Sequence, residues 1–144
     1  MPSLRPVHHC GAAVLLVSLT LGCGPDGPEI ATVEGTVTLG GEPLAEAMVL
    51  FQPSNGRPSA GRTDAEGHYE LIYSQGREGA LPGEHTVAIS TFQAGNPEEG
   101  TPKIIERVPA QYNVQTELKE TVEAGENVID FNLKAEGRIL DPRQ

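Results

Sequence analysis

An all-β fold is predicted by three features of the chain. Its apolar runs are short, glycine and proline fall between nearly all of them, and most runs alternate apolar with polar residues. With 17 Gly and 12 Pro in 144 residues, breaks come too often for long helices. Aromatic residues are few, with three Phe, three Tyr and no Trp, so Val, Ile and Leu must supply most of the core. Seven or so strands at this spacing predict an antiparallel β-sandwich. The length suits one domain behind a leader.

The elements follow in order. Over 32–39, Val33, Gly35, Val37 and Leu39 fall on one side and Thr32, Glu34, Thr36 and Thr38 on the other, which is the pattern of a half-buried strand. Gly40-Gly41 turns the chain and Pro43 stiffens it. The continuous apolar run 48–51 reads as a strand buried on both faces, and 59–63 as a short strand. Asp64-Ala65-Glu66-Gly67 predicts a hairpin turn with Gly67 at positive φ. Over 68–73, Tyr69, Leu71 and Tyr73 share one face. Pro82-Gly83 opens a strand over 84–91 with His85, Val87 and Ile89 together. A long loop follows, and 103–108 pairs briefly. A terminal hairpin is expected, 117–123 against 127–134 across Ala124-Gly125-Glu126, with Ile129, Phe131 and Leu133 inward.

Residues 1–23 have the three parts of an export signal. Arg5 gives positive charge beside His8 and His9. The apolar stretch 12–21 is well short of the roughly 20 residues that cross a bilayer. Leu19-Thr20-Leu21-Gly22-Cys23 resembles the bacterial lipobox, with Thr20 departing from the preferred Leu. The resemblance implies cleavage between Gly22 and Cys23 and a diacylglyceryl thioether on the Cys23 thiol. Ordinary secretion with Cys23 a bystander and an uncleaved anchor are the alternatives. The cysteine count argues against the first: of two Cys, Cys10 lies in the leader, and Cys23 would be left an unpaired terminal thiol. The expected organisation is a signal peptide over 1–22, a tether over 23–30, the sandwich over 31–134 and a frayed polar tail over 135–144.

Residues 33–91 resemble the carboxypeptidase regulatory-like domain, a transthyretin-like (prealbumin-like) β-sandwich. The likeness runs through Val33-x-Gly35-x-Val37, Gly41-x-Pro43-Leu44, Ala47-x-Val49-x-Phe51, Thr63-Asp64-x-x-Gly67-x-Tyr69-x-Leu71 and Pro82-Gly83-x-x-x-Val87-x-Ile89. The segment Val108-Pro109-Ala110-Gln111-Tyr112-Asn113, with Gly125-Glu126-Asn127 and Phe131-x-Leu133 after it, resembles the ending of small planctomycete-type lipoproteins that carry this domain. The resemblance implies an accessory module of the cell envelope without peptidase chemistry of its own.

The formal net charge of −10 argues against nucleic acid or an anionic lipid surface as an electrostatic partner. The expected partners are the membrane, through lipidated Cys23, and an envelope protein or polysaccharide at the periplasmic or exterior face. Candidate chemistry is thin. His68 and His85 lack zinc-ligand spacing and read as ordinary strand histidines. Asp64, Glu66 and Gly67 suit a turn better than a calcium loop, because the position where an EF-hand needs Glu is Tyr73. Glu98 and Glu99 read as solvated charge. No Gly-x-Ser-x-Gly elbow and no Gly-Lys-Ser/Thr phosphate loop occurs. No catalytic residue, metal or cofactor is expected. Tyr112 is the one aromatic candidate for a sugar platform, because Tyr69 and Tyr73 read as core.

Overall fold

The computed structural model describes residues 27–74 and 76–143. Eleven strand segments and one short 3-10 turn follow in order: β1 (Thr32–Leu39), β2 (Glu42–Pro43), β3 (Met48–Pro53), β4 (Ser59–Arg62), β5 (His68–Glu70), β6 (Ile72–Ser74), β7 (Arg77–Glu78), β8 (Gly83–Ser90), the 3-10 turn (Ala110–Tyr112), β9 (Lys119–Val122), β10 (Glu126–Val128) and β11 (Phe131–Leu133). They make two sheets with an apolar layer between them, the all-β sandwich that the alternation predicts. The second sheet is antiparallel throughout, in the order β7-β6-β4-β3-β8-β9.

The first sheet is three lanes wide, with β1 in the middle. On one side β5 and β2 run antiparallel to it. On the other, β10 and β11 follow one another in parallel at one constant register, from Thr32 opposite Glu126 to Leu39 opposite Leu133. The sheet is therefore mixed, where a purely antiparallel one was expected. Between β10 and β11 the backbone ladder opens. Ile129 N–H donates to the Glu34 carbonyl at 2.8 Å, while Thr36 N–H is met by the Asp130 carboxylate at 2.8 Å instead of by backbone. The Ile129 carbonyl turns in over Gly35, where a Cβ would overlap it, and accepts the Tyr69 hydroxyl at 2.7 Å. Gly35 is thus a close-approach glycine.

The core draws inward residues from both sheets. Val33, Val37, Tyr69, Phe131 and Leu133 face Val49, Phe51, Val87, Ile89 and Val122, all buried. The Phe51 and Phe131 rings meet edge to face at 6.1 Å between centroids, a favoured aromatic geometry. Burial of the Tyr69 hydroxyl, with the charges of Asp130 and Glu120 nearby, pushes its pKa well above the usual tyrosine range. It stays a hydrogen-bond donor at any physiological pH.

Four expectations about burial and pairing are corrected. The run 48–51 is not buried on both faces: Val49 and Phe51 point inward, Leu50 is half-buried and Met48 is 42% exposed. Among the described residues no strand covers the outside of the second sheet there, and an outer face turned to water is normal for an antiparallel sandwich. The turn at Asp64 is present, with Gly67 at φ +79°, but it joins strands of different sheets. The stretch 68–73 is not one strand. Leu71 N–H reaches across to the Val33 carbonyl at 2.9 Å, after which β6 pairs with β4 in the second sheet. The expected terminal hairpin is likewise a crossover. β9 edges the second sheet on β8, and the chain then passes to β1. The inward set Ile129, Phe131 and Leu133 is as the alternation predicts, with Val128, Asp130 and Asn132 outward.

The tail is tied rather than frayed: the Arg138 carbonyl accepts from Ala110 N–H at 2.8 Å, and the Arg143 guanidinium stacks over Phe92 at 5.1 Å. The motif around Asn113 gains a physical reason. Its buried amide donates to the carbonyls of Val108 and Pro109 at 3.0 and 3.3 Å, and its oxygen accepts from Val114 N–H at 2.7 Å. That locks the 3-10 turn against the end of β8.

Gly35→Ala is expected to destabilise the fold by about 2–3 kcal/mol through forced displacement of the third lane. Urea unfolding of the two proteins measures it, and an unchanged midpoint would show that the Ile129 carbonyl can move freely.

Candidate functional site

Alternation along β1 sends Thr32, Glu34 and Thr36 to the outside of the first sheet, and along β5 it sends His68 and Glu70 to the same side. The antiparallel register then sets Glu34 directly opposite Glu70, with His68 opposite Thr36 one step along the face. Two carboxylates opposed across a strand pair repel. The His68 imidazole meets them: its Nε2 lies 3.7 Å from a Glu34 carboxylate oxygen. One ligand atom from each of Glu34, His68 and Glu70 falls within 4.8 Å of the others.

The cluster borders an open cavity of about 270 Å³. Thr32, Glu34, Glu70, Glu78, Glu126 and Asn127 supply its polar wall, and Val33, Leu71 and Val128 its apolar wall. Four carboxylates thus converge at the end of the sheet where the chain enters β1. Val128, opposite Glu34 on the other lane, is 70% exposed and forms a bare apolar rim. The arrangement offers hard oxygen donors and one imidazole to a cation, and acceptors to a ligand with hydroxyl or amine groups.

The residues singled out in the sequence fall elsewhere or into plain structural roles. Gly22 and Cys23 lie outside the described residues, as do His8, His9 and Cys10. His68 and His85 do not meet. His85 is 1% exposed inside the sandwich, its Nε2 bonded to the Leu81 carbonyl at 2.7 Å and its ring tilted against Phe51. The Asp64 carboxylate accepts from Glu66 and His68 N–H at 3.0 and 2.9 Å. That is an Asx turn and not an ion loop. Glu98 and Glu99 donate their backbone N–H groups to Asn96 in a turn, and both stay exposed. Tyr112 is not a free platform, since it packs on the core and its hydroxyl accepts from Lys134 N–H at 3.1 Å.

No family model matches the chain, and no curated protein does. One solved structure is similar, that of a DUF3823 family protein from Parabacteroides merdae, at 11% identity and a TM-score of 0.40. The likeness covers 74% of this chain and 46% of that one, so this chain spans less than half of that protein's length.

A second polar centre was missed in the sequence because it lies in a segment with no alternation to read. Glu106, 7% exposed, accepts from Thr91 N–H at 2.9 Å, Thr91 Oγ1 at 3.0 Å, Arg107 N–H and Val108 N–H at 3.0 Å each, and the Ser90 hydroxyl. It clasps both ends of the long loop between Thr91 and Glu106. Burial would raise its pKa, but the hydrogen bonds from Ser90, Thr91 and Val108 outweigh burial and hold it below the ordinary 4.5. A carboxyl with a lowered folded-state pKa stabilises the fold above its unfolded value, and the contribution is lost as pH falls through the folded value. Glu106→Gln is therefore expected to cost about 2–3 kcal/mol at neutral pH, with the gap to wild type closing in acid. Unfolding midpoints at both pH values test this, and a gap that is constant with pH would exclude an ionised clasp.

Proposed function

We propose that the chain is an exported lipoprotein held on a membrane by lipid on Cys23, and that its sandwich is a non-catalytic module contacting another component of the cell envelope. The observation that carries the reading is the run Leu19-Thr20-Leu21-Gly22-Cys23 at the end of a short apolar stretch, in a chain whose other cysteine precedes it. The geometry past the tether is compatible with it. Arg77 donates to the Pro28 carbonyl at 2.6 Å, and Ala31 exchanges two backbone hydrogen bonds with Ala80. The chain therefore joins the sandwich at one end, beside the cavity. Fully extended, residues 23–28 reach about 20 Å at most, so an anchored Cys23 would keep that end near the membrane surface.

The resemblance of residues 33–91 to the carboxypeptidase regulatory-like domain supports an accessory role, with an envelope protein or polysaccharide as partner. A second reading, a ligand-binding lipoprotein, is favoured by the polar cavity at Glu34, Glu70, Glu78 and Glu126. Against a sugar ligand, the three tyrosines are engaged elsewhere: Tyr69 in the core, Tyr73 beneath Arg77 at 5.7 Å, and Tyr112 on Lys134.

Cells fed labelled fatty acid are expected to label the wild-type chain and not Cys23→Ser, which should accumulate unprocessed. Equal labelling of the two, or none in either, would remove the anchor. Recovery of the native protein from detergent-solubilised envelope with a cross-linked neighbour is the expected companion result. A bare monomer would count against the interaction role.

A further inference from the structure

We infer that Glu34, His68 and Glu70 form a binding site for a divalent transition-metal ion of the zinc class on the outer face of the first sheet. The three side chains come from neighbouring strands whose register is fixed by the core beneath them. Gly35 and Tyr69 are the inward residues between them, so the Ile129 clasp that seats Tyr69 also sets the spacing of Glu34 and Glu70.

The donor atoms are within 4.8 Å of one another. Zinc bonds of about 2 Å draw ligand atoms to roughly 3–4 Å apart. The closure needed is a small rotation of three side chains that are free to turn in solvent, the His68 and Glu34 side chains being 43% and 53% exposed. An imidazole nitrogen among carboxylate oxygens selects zinc-like ions over calcium and magnesium, which take oxygen shells. The cross-strand repulsion of Glu34 and Glu70 is the complementary feature: a cation between them turns an unfavourable pair into a favourable one. Glu34 and Glu70 also line the cavity, whose further carboxylates, Glu78 and Glu126, reinforce the field without being needed as ligands. The site is independent of the membrane anchor, and either could fail without the other.

The test is titration of the full chain in detergent with Zn²⁺ alone, in a His8→Gln/His9→Gln/Cys10→Ser/Cys23→Ser background that removes the other imidazoles and thiols able to hold zinc outside the sandwich. Calorimetry gives the stoichiometry, and the NMR signals of the two remaining histidine rings give the location. One ion per chain is expected, moving the His68 ring and leaving the buried His85 ring unmoved. His68→Gln, and separately Glu34→Gln/Glu70→Gln, should weaken binding about tenfold or more. Glu98→Gln/Glu99→Gln removes the same charge from an exposed loop and should leave binding unchanged. The inference is overturned by uptake that never saturates at one ion, by an equal loss in the loop variant, by Ca²⁺ binding as tightly and indifferently to His68→Gln, or by an unmoved His68 ring. Where a variant fails to fold, the ring signals of the parent protein decide alone.

Discussion

The carbonyl of Ile129 is the hinge on which the first sheet hangs. It leaves the backbone ladder between β10 and β11, passes over Gly35, and is taken by the hydroxyl of Tyr69 from the far lane. One acceptor thereby ties together all three lanes of the sheet. A larger residue at 35 would bar its approach, and a side chain without a hydroxyl at 69 would leave a buried carbonyl without a partner. Because side chains alternate with a period of two, the same contact that sends Gly35 and Tyr69 inward sends Glu34, Glu70 and His68 outward together. Core and surface are in this respect one constraint.

Faces were readable in the chain, and partners were not. The alternation of β1 and β8 locates both strands to within a residue and names their buried sides, because one wet face and one dry face leave a pattern in composition. Nothing in a single strand's pattern states which neighbour it will take. The turns at Asp64-Gly67 and at Gly125 look like hairpin turns, since tight turns have the same residues whether the chain stays in its sheet or leaves it. The crossing at Leu71 is invisible for a related reason: Tyr69, Leu71 and Tyr73 keep their alternation straight through the change of sheet.

The candidate site was half legible on the same grounds. Glu34 and Glu70 stand out as outward residues, but only the register brings them opposite one another and adds His68. The sequence offers His85 as the natural companion of His68, but His85 lies on the other sheet and faces in. Glu106 left no signal, because three of its five hydrogen bonds come from backbone N–H groups that any sequence supplies. Cys23 is the reverse case. The chemistry proposed for it rests on five consecutive residues and on no fold, and those residues lie outside the described part of the chain.

The parallel lane has a consequence for the order in which the molecule can assemble. β1 precedes the other described strands in the chain, yet the strands that cover one of its edges lie 94 residues further along, so that Thr38 waits for Asn132. Contacts of such long sequence separation form late, after the loop between them has been closed. The second sheet is built from segments closer in sequence and can form ahead. Until the C-terminal strands arrive, the middle strand of the first sheet is an open edge, with its backbone groups free to pair with any other strand within reach. Truncation near residue 125 would make that passing condition permanent, leaving a sandwich with one sheet unfinished and adhesive.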